Sequence, residues 1–394
     1  MKVKVKQFDK IKKIIIIKEE KMRSFKLTLI FSLILILLGN FFLGCKKEPK
    51  VIKIGAILPL TGSASEIGEQ HKMGLMLAVD EINSQGGING KKLEVIYEND
   101  KNDPKEAVSA FNKLANIDKV PIVITAMSAS SMAIYPIAEQ KKIVLFANCG
   151  HPEITMLSDW VFRNFPTSKH EAQRMASFVW NTLKIKNLAI LYINDAFGEA
   201  AMKEIKKEFE SFGGKILAIE PFEKDKTDFR SQIMKVLQLN PEAIYVYGYG
   251  KANGLVVRQI REFGYKGPLL GSYNFSVEPT LSIAKSALEG SYFTEPAFDP
   301  SLESKEIIDF VNNFKQKYNK LPYWNTVIEY DALHLIAQII RNKGNSSEKI
   351  KSGLENYGDF KGVAGEYKAF RKNEWVPKLF IKTFRQGKII KVEE

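Results

Sequence analysis

Cysteine and histidine are scarce: the 394 residues hold only Cys45 and Cys149, with four histidines. His71, His151, His170 and His334 stand at no metal-site spacing, so neither a metal nor another cofactor is expected. No G-x-x-x-x-G-K-[ST] run occurs, and any ATPase working with this protein is therefore a separate chain. Gly248, Gly250 and Gly254 follow an apolar run, but they miss the dinucleotide fingerprint by one residue and no acid follows at the required distance. A G-x-S-x-G elbow is also missing, and Ser128 has no base visible beside it in sequence. Cys149 and His151 could be read as nucleophile and base, yet no third group is in sight to orient them, and a pocket-lining thiol is the expectation. The chain is therefore not expected to be an enzyme.

The net charge of +13 is unevenly placed, with +7 of it in residues 1–45. The remainder has no basic cluster, which argues against a nucleic-acid partner. In the first 45 residues a basic stretch precedes an apolar run from Leu27 to Leu43, interrupted by Gly39 and Asn40, and Gly44 stands directly before Cys45. That order is the layout of a secretory signal. A membrane-spanning helix is the competing reading, since about 17 to 25 apolar residues can cross a bilayer. The basic residues between Met22 and Lys26 would serve a short signal by themselves, so residues 1–21 read as a misassigned upstream start.

From Val51 onward the sequence alternates short apolar runs with amphipathic stretches. "VIKIGAIL" reads as a buried strand, and "EIGEQHKMGLMLAVDEIN" as a helix with Leu75, Ala78, Val79 and Ile82 on one face. "NDPKEAVSAFNKLANI" starts a helix with Asp103 as N-cap and Pro104 in the first position. A second series begins near Lys169 and repeats the pattern through "LAILYI", "KILAIE", "AIYVYG" and "PLLGS". Helices from Ser304 to Tyr318 and from Asn325 to Lys343 follow, then short strands to the end. This is the grammar of parallel sheets, an α/β fold.

The stretch from "IKIGAILPLTG" to "GGINGKKLEV" and "DPKEAV" resembles the opening of the type I periplasmic binding proteins of the branched-chain amino-acid group. The likeness continues in order through "DAFGEAA", "TDFRSQI", "VYGYG", "LEGSYFTEPAF" and "YDALHLIAQ". It implies two doubly wound parallel-sheet lobes joined by three hinge crossings, with lobe I at 51–168 plus 297–372 and lobe II at 169–296 plus 373–394. "FFLGC" is similar to the lipobox of bacterial lipoproteins, which makes Cys45 the lipidation site, 1–45 the signal and 46–50 a linker. Phe42 departs from the leucine usual in that box.

Ligand sites in such sheets lie at the carboxyl ends of strands. In "VITAMSASSMAIYP" a strand runs into a helix start, where free amides and serine hydroxyls suit a small anion, although serine is also a common N-cap. The resemblance implies that Ser128 holds a ligand carboxylate, with Ala126 beside it. It also implies that the loop at Asn148, Cys149 and Gly150 replaces a family Ser/Thr that helps hold an α-ammonium, and that Tyr273 lies near the family's acid. Phe197 and Ile67 stand where aromatics are common, Tyr249 matches a cleft tyrosine, and Tyr323 and Trp324 lie near a further contact. The expected pocket is aromatic and apolar with one polar anchor. It suits deaminated carboxylic acids better than amino acids, unless Glu66 or Glu278 supplies the counter-charge.

The function implied is a lipid-anchored solute receptor outside the cytoplasm, in the periplasm or at the cell surface. It would capture an amino-acid-like or organic-acid ligand for an ABC permease with separate ATPase subunits, its membrane contact being the lipid. A sensor subunit reporting to a signalling partner would share the same fold and cleft. A hydrolase built on Cys149 or Ser128 is the third reading.

Overall fold

The apolar runs become strands buried on both faces, as parallel sheets covered by helices require. In the computed structural model, which describes residues 21–23, 51–300 and 304–392, the first is β1 (Val51–Leu58). β2 (Lys92–Asn99), β3 (Ile122–Thr125), β4 (Val144–Ala147) and β5 (Val161–Phe162) complete a five-stranded sheet of order β2-β1-β3-β4-β5. All its pairings are parallel. Cys45, the apolar run before it and the linker lie outside the described residues. Among the described residues no helix is long and apolar enough to cross a membrane.

The second series repeats the first strand for strand. β6 (Asn187–Ile193), β7 (Lys215–Phe222), β8 (Ala243–Tyr247), β9 (Leu269–Gly271) and β10 (Tyr292–Pro296) run in the order β7-β6-β8-β9-β10, again parallel. A three-stranded sheet follows, β11 (Phe360–Gly362), β12 (Gly365–Arg371) and β13 (Glu374–Pro377). The chain then returns as β14 (Leu379–Arg385), antiparallel to β10, and β15 (Lys388–Lys391) closes that edge.

Helix starts obey local chemistry. Asp103 caps Pro104–Lys113 by accepting from the amides of Lys105 and Glu106, and Asp195 does the same for Phe197 and Gly198 at the head of Ala196–Ser211. Gly74 lets the helix Ser65–Ser84 pack closely on Trp324–Lys343: a β-carbon there would stand 2.1 Å from the carbonyl of Thr326.

Three crossings join the sheets, after β5, after β10 and between β13 and β14. The first lies beside β13, since the amide of Arg163 donates to the carbonyl of Asn373 and that of Trp375 to the carbonyl of Arg163. β13 was expected with the second lobe but pairs with β12, so the last crossing comes several residues later than residue 373. The expectation had no way to see that pairing, because β13 is held by a tight return from β12 and not by a strand–helix alternation.

Candidate functional site

Where the carboxyl ends of the two sheets meet, their loops line a small, partly open cavity. The first lobe contributes Ile67 and His71 from the helix Ser65–Ser84, then Ala126, Met127 and Ser128 where β3 passes into the helix Ser128–Lys141. Gly150 after β4 and the first turn of Trp324–Lys343, Trp324 and Asn325, complete that side. Phe165 stands in the first crossing. The second lobe contributes Phe197, Tyr249 just before the helix Gly250–Glu262, and Tyr273 and Asn274 in the turn after β9.

The polar groups of the first lobe are unfinished. The helix Ser128–Lys141 begins after Met127, whose side chain makes no capping bond, and the buried hydroxyl of Ser128 has no partner. The indole N–H of Trp324 is likewise buried and unpartnered. A buried donor without an acceptor costs about 1 to 3 kcal/mol, and both of these residues border the cavity. His71 bonds through Nδ1 to Glu329 Oε1 at 2.8 Å, both residues being buried, while Glu329 Oε2 has no partner.

The second lobe brings the rings of Phe197, Tyr249 and Tyr273, and the Tyr249 hydroxyl is already engaged. Tyr249 donates to Asp195 Oδ2 at 2.6 Å and accepts from Asn102 Nδ2 of the first lobe at 2.7 Å. Asn102 is itself held by Asp100, which also accepts from Ser130. Burial pushes the carboxyls of Asp100 and Asp195 upward, and the Tyr249 phenol is raised by burial and by the neighbouring Asp195. Tyr273 meets Trp324 across the cleft at 4.3 Å between centroids and Phe165 at 5.7 Å, edge on. Phe197 lies 5.8 Å from Tyr249 and 6.5 Å from Tyr273. Gly150 is required here, since a β-carbon would come within 2.9 Å of the Phe197 ring.

Behind Tyr273, Glu171 is fully buried and accepts from the hydroxyls of Tyr247 and Thr294. Burial pushes its carboxyl up to about 8, so at neutral pH it is largely uncharged. It does not border the cavity.

Seven of the residues expected at the site border the cavity: Ile67, Ala126, Ser128, Gly150, Phe197, Tyr249 and Tyr273. Asn148 and Cys149 do not, although they immediately precede Gly150; both are buried and Cys149 packs in the core of the first lobe. Tyr323 faces an adjoining open cleft with Glu66, Glu69, Glu278 and Lys320, one helical step from Trp324, which turns inward. Neither Glu66 nor Glu278 reaches the cavity. His71, Met127, Phe165, Asn274 and Asn325 were not expected. Only an aromatic at Phe165, late in the first crossing, offered any signal. Among the described residues no group of His, Cys, Asp or Glu is arranged to hold a metal ion.

Residues 51–376 match the model of the periplasmic binding protein family. The leucine-, isoleucine-, valine-, threonine- and alanine-binding protein of Pseudomonas aeruginosa is 30% identical over 308 residues, 77% of this chain and 82% of that one. A branched-chain amino acid transporter substrate binding protein from Streptococcus pneumoniae, solved with isoleucine, is 28% identical with a TM-score of 0.79, covering 87% of this chain and 100% of that one. A solute binding protein of an ABC transporter from Rhodopseudomonas palustris, solved with benzoate, shares the fold at 21% identity with a TM-score of 0.79, over 87% of this chain and 95% of that one. Two like sheets, three crossings, a cavity between their carboxyl ends and these matches place the chain in the periplasmic binding protein family, type I, in its branched-chain amino-acid group: it is a solute-binding protein and not an enzyme.

Proposed function

We propose that the protein captures a small carboxylic acid with a branched or aromatic body and no α-ammonium, closes its lobes over it and delivers it to an ABC permease driven by separate ATPase subunits. The observation that carries this reading is the mismatch between donors and acceptors around the cavity. Ser128 and Trp324 offer buried hydrogens without partners. No ionised carboxylate of the described residues borders the cavity, and the nearest candidate for a counter-charge behind Tyr273, Glu171, is held largely neutral.

The backbone acceptors of the Cys149–Gly150 loop are also engaged. Arg163 donates to the carbonyl of Cys149 at 3.2 Å, and the amide of Ser168 to that of Gly150 at 2.9 Å. A buried ammonium without an acceptor would cost several kcal/mol, more than an added apolar contact returns. A carboxylate would instead complete the Ser128 helix start, and the rings of Phe197, Tyr249 and Tyr273 would cover its apolar body. Ligand touching both lobes at once stabilises the closed form, which is the form a permease would recognise. The same fold holding isoleucine in one protein and benzoate in another supports a site whose ligand class turns on such local exchanges.

Calorimetry with leucine and phenylalanine against 4-methylpentanoate and 3-phenylpropanoate tests the reading. The deaminated acids should bind more tightly, and tighter binding of the amino acids overturns it. Attachment to the membrane through Cys45 belongs to the same proposal. Cys45→Ala should abolish incorporation of labelled fatty acid, and unchanged labelling would remove the anchor.

A further inference from the structure

We propose that His71, set by Glu329, is a second hydrogen-bond donor to the ligand, so that the ligand carries an oxygen acceptor in addition to its carboxylate. The inference rests on the carboxylic-acid reading above and deepens it.

The dyad is assembled from residues 258 positions apart, by the close packing of two helices that Gly74 permits. His71 Nδ1 and Glu329 Oε1 are 2.8 Å apart and share one hydrogen. His71 is 2% exposed and Glu329 not at all, and Glu329 Oε2 has no partner of its own. A lone carboxylate charge in that position would be uncompensated, which a buried group avoids by pairing or by taking up a proton. With an imidazolium facing a carboxylate, or a neutral carboxyl donating to Nδ1 of a neutral ring, the pair is net neutral and a hydrogen stands on Nε2. Nε2 becomes an acceptor only when Nδ1 donates, either to an ionised carboxylate, which leaves a buried charge unbalanced, or to a carboxyl protonated on Oε2, which strands a buried hydroxyl because Oε2 has no partner.

Among the described residues none accepts from His71 Nε2, and His71 borders the cavity. Its surroundings fix where it points. Phe165 stacks on the imidazole with centroids 6.4 Å apart and also meets Trp324 at 5.3 Å, and Gln70 bonds to Asn325 at 2.7 Å between the same two helices. His71 and the unpartnered indole N–H of Trp324 therefore stand together, on elements other than the Ser128 helix. The first lobe presents two groups of donors, one suited to the carboxylate and one left for another oxygen, either an oxo oxygen or that of a second carboxylate.

Matched pairs of probes test this on the intact protein. Phenylpyruvate is set against 3-phenylpropanoate, and terephthalate against benzoate, by calorimetry. The member with the extra acceptor should bind about tenfold more tightly in at least one pair, the usual worth of a hydrogen bond to a charged or polarised donor. His71→Asn keeps a group where Nδ1 meets Glu329 but nothing where Nε2 stood, and should erase that preference, so that the two members of each pair bind equally. His71→Gln, whose amide reaches toward the Nε2 position, should restore part of it. Equal binding within both pairs, or a preference that survives in His71→Asn, overturns the proposal.

Nitrogen NMR of the histidine side chains gives an answer that does not depend on any ligand. The signal lost in His71→Asn should show Nε2 protonated at neutral pH. A bare Nε2 would defeat the assignment outright, whereas failure of all four acids to bind with Nε2 protonated would fault the carboxylic-acid reading instead.

Discussion

At the strand ends of the first lobe, Ser128 and Trp324 hold hydrogens that none of the described residues accepts. At the matching ends of the second lobe, Tyr249 is bonded on both sides and Glu171 is closed in by Tyr247 and Thr294. The two sheets have the same strand order, so this difference does not come from topology. It comes from which side chains the loops carry. The lobe with unfinished donors is the one that can hold a ligand while the cleft is open, and the lobe with satisfied rings adds apolar cover without asking for new hydrogen bonds. On the proposed function, the first lobe engages the ligand before the lobes close.

The largest effect expected from breaking this division lies at the crossings, which hold the first lobe's loop in place. Arg163 is buried, pairs with Glu374 at 2.8 Å and donates to the carbonyls of Cys149 and His151. Removing the cation strands the buried carboxylate, so Arg163→Met should lower the unfolding free energy by about 3 to 5 kcal/mol in urea titration. Adding Glu374→Leu should recover part of that loss. A loss below about 1 kcal/mol for the single variant would show that the crossing is held by backbone pairing alone.

A smaller effect sharpens the contrast between the lobes directly. Ser128→Ala removes a buried hydroxyl with no partner, so it should leave the unliganded protein as stable or slightly more so, yet weaken binding of 3-phenylpropanoate by about 1 to 3 kcal/mol. Tyr249→Phe, on the other lobe, should do the reverse: it breaks bonds to Asn102 and Asp195 that exist without ligand, lowering stability by about 0.5 to 1.5 kcal/mol with the ring contact retained. Thermal unfolding and calorimetry on both variants separate the two patterns. Matching losses of affinity without any difference in stability would erase the distinction drawn here.

Much of the fold was legible because most strands of the two parallel arrays are short apolar runs followed by a helix, and such signals are local. Asp103 with Pro104, and the "AIYVYG" run before Tyr249, are of that kind. The cavity's strand-end residues were legible for the same reason. What could not be read depends on packing between distant segments. His71 and Glu329 meet only because two helices approach at Gly74, and Glu171 becomes a buried acid only when β8 and β10 cover it. Asn148 and Cys149 show the limit at single-residue scale: the loop was found, but which of three neighbours faces the cavity is set by one turn of backbone.

The effect that depends most on pH is expected at Glu171, and it concerns the satisfied lobe alone. Burial raises its folded-state carboxyl to about 8 from an ordinary value of 4.5, so the folded protein holds this proton where the unfolded chain has released it. Stability from the protonated group is fully present below about 4.5 and is lost as pH rises through about 8. Glu171→Gln removes the titration while keeping an acceptor for one hydroxyl and a donor that the other, free to rotate, can accept. At pH 5 the variant and the parent should unfold at nearly the same urea concentration. Between pH 6 and pH 9 the parent should lose stability relative to the variant, because only the parent must either ionise a carboxyl beneath Tyr273 or hold a proton that solvent would take. A difference that is constant across this range would mean that Glu171 is ionised in the folded protein as it is in the unfolded chain, and the second lobe would then carry a fixed charge where the comparison between lobes requires none.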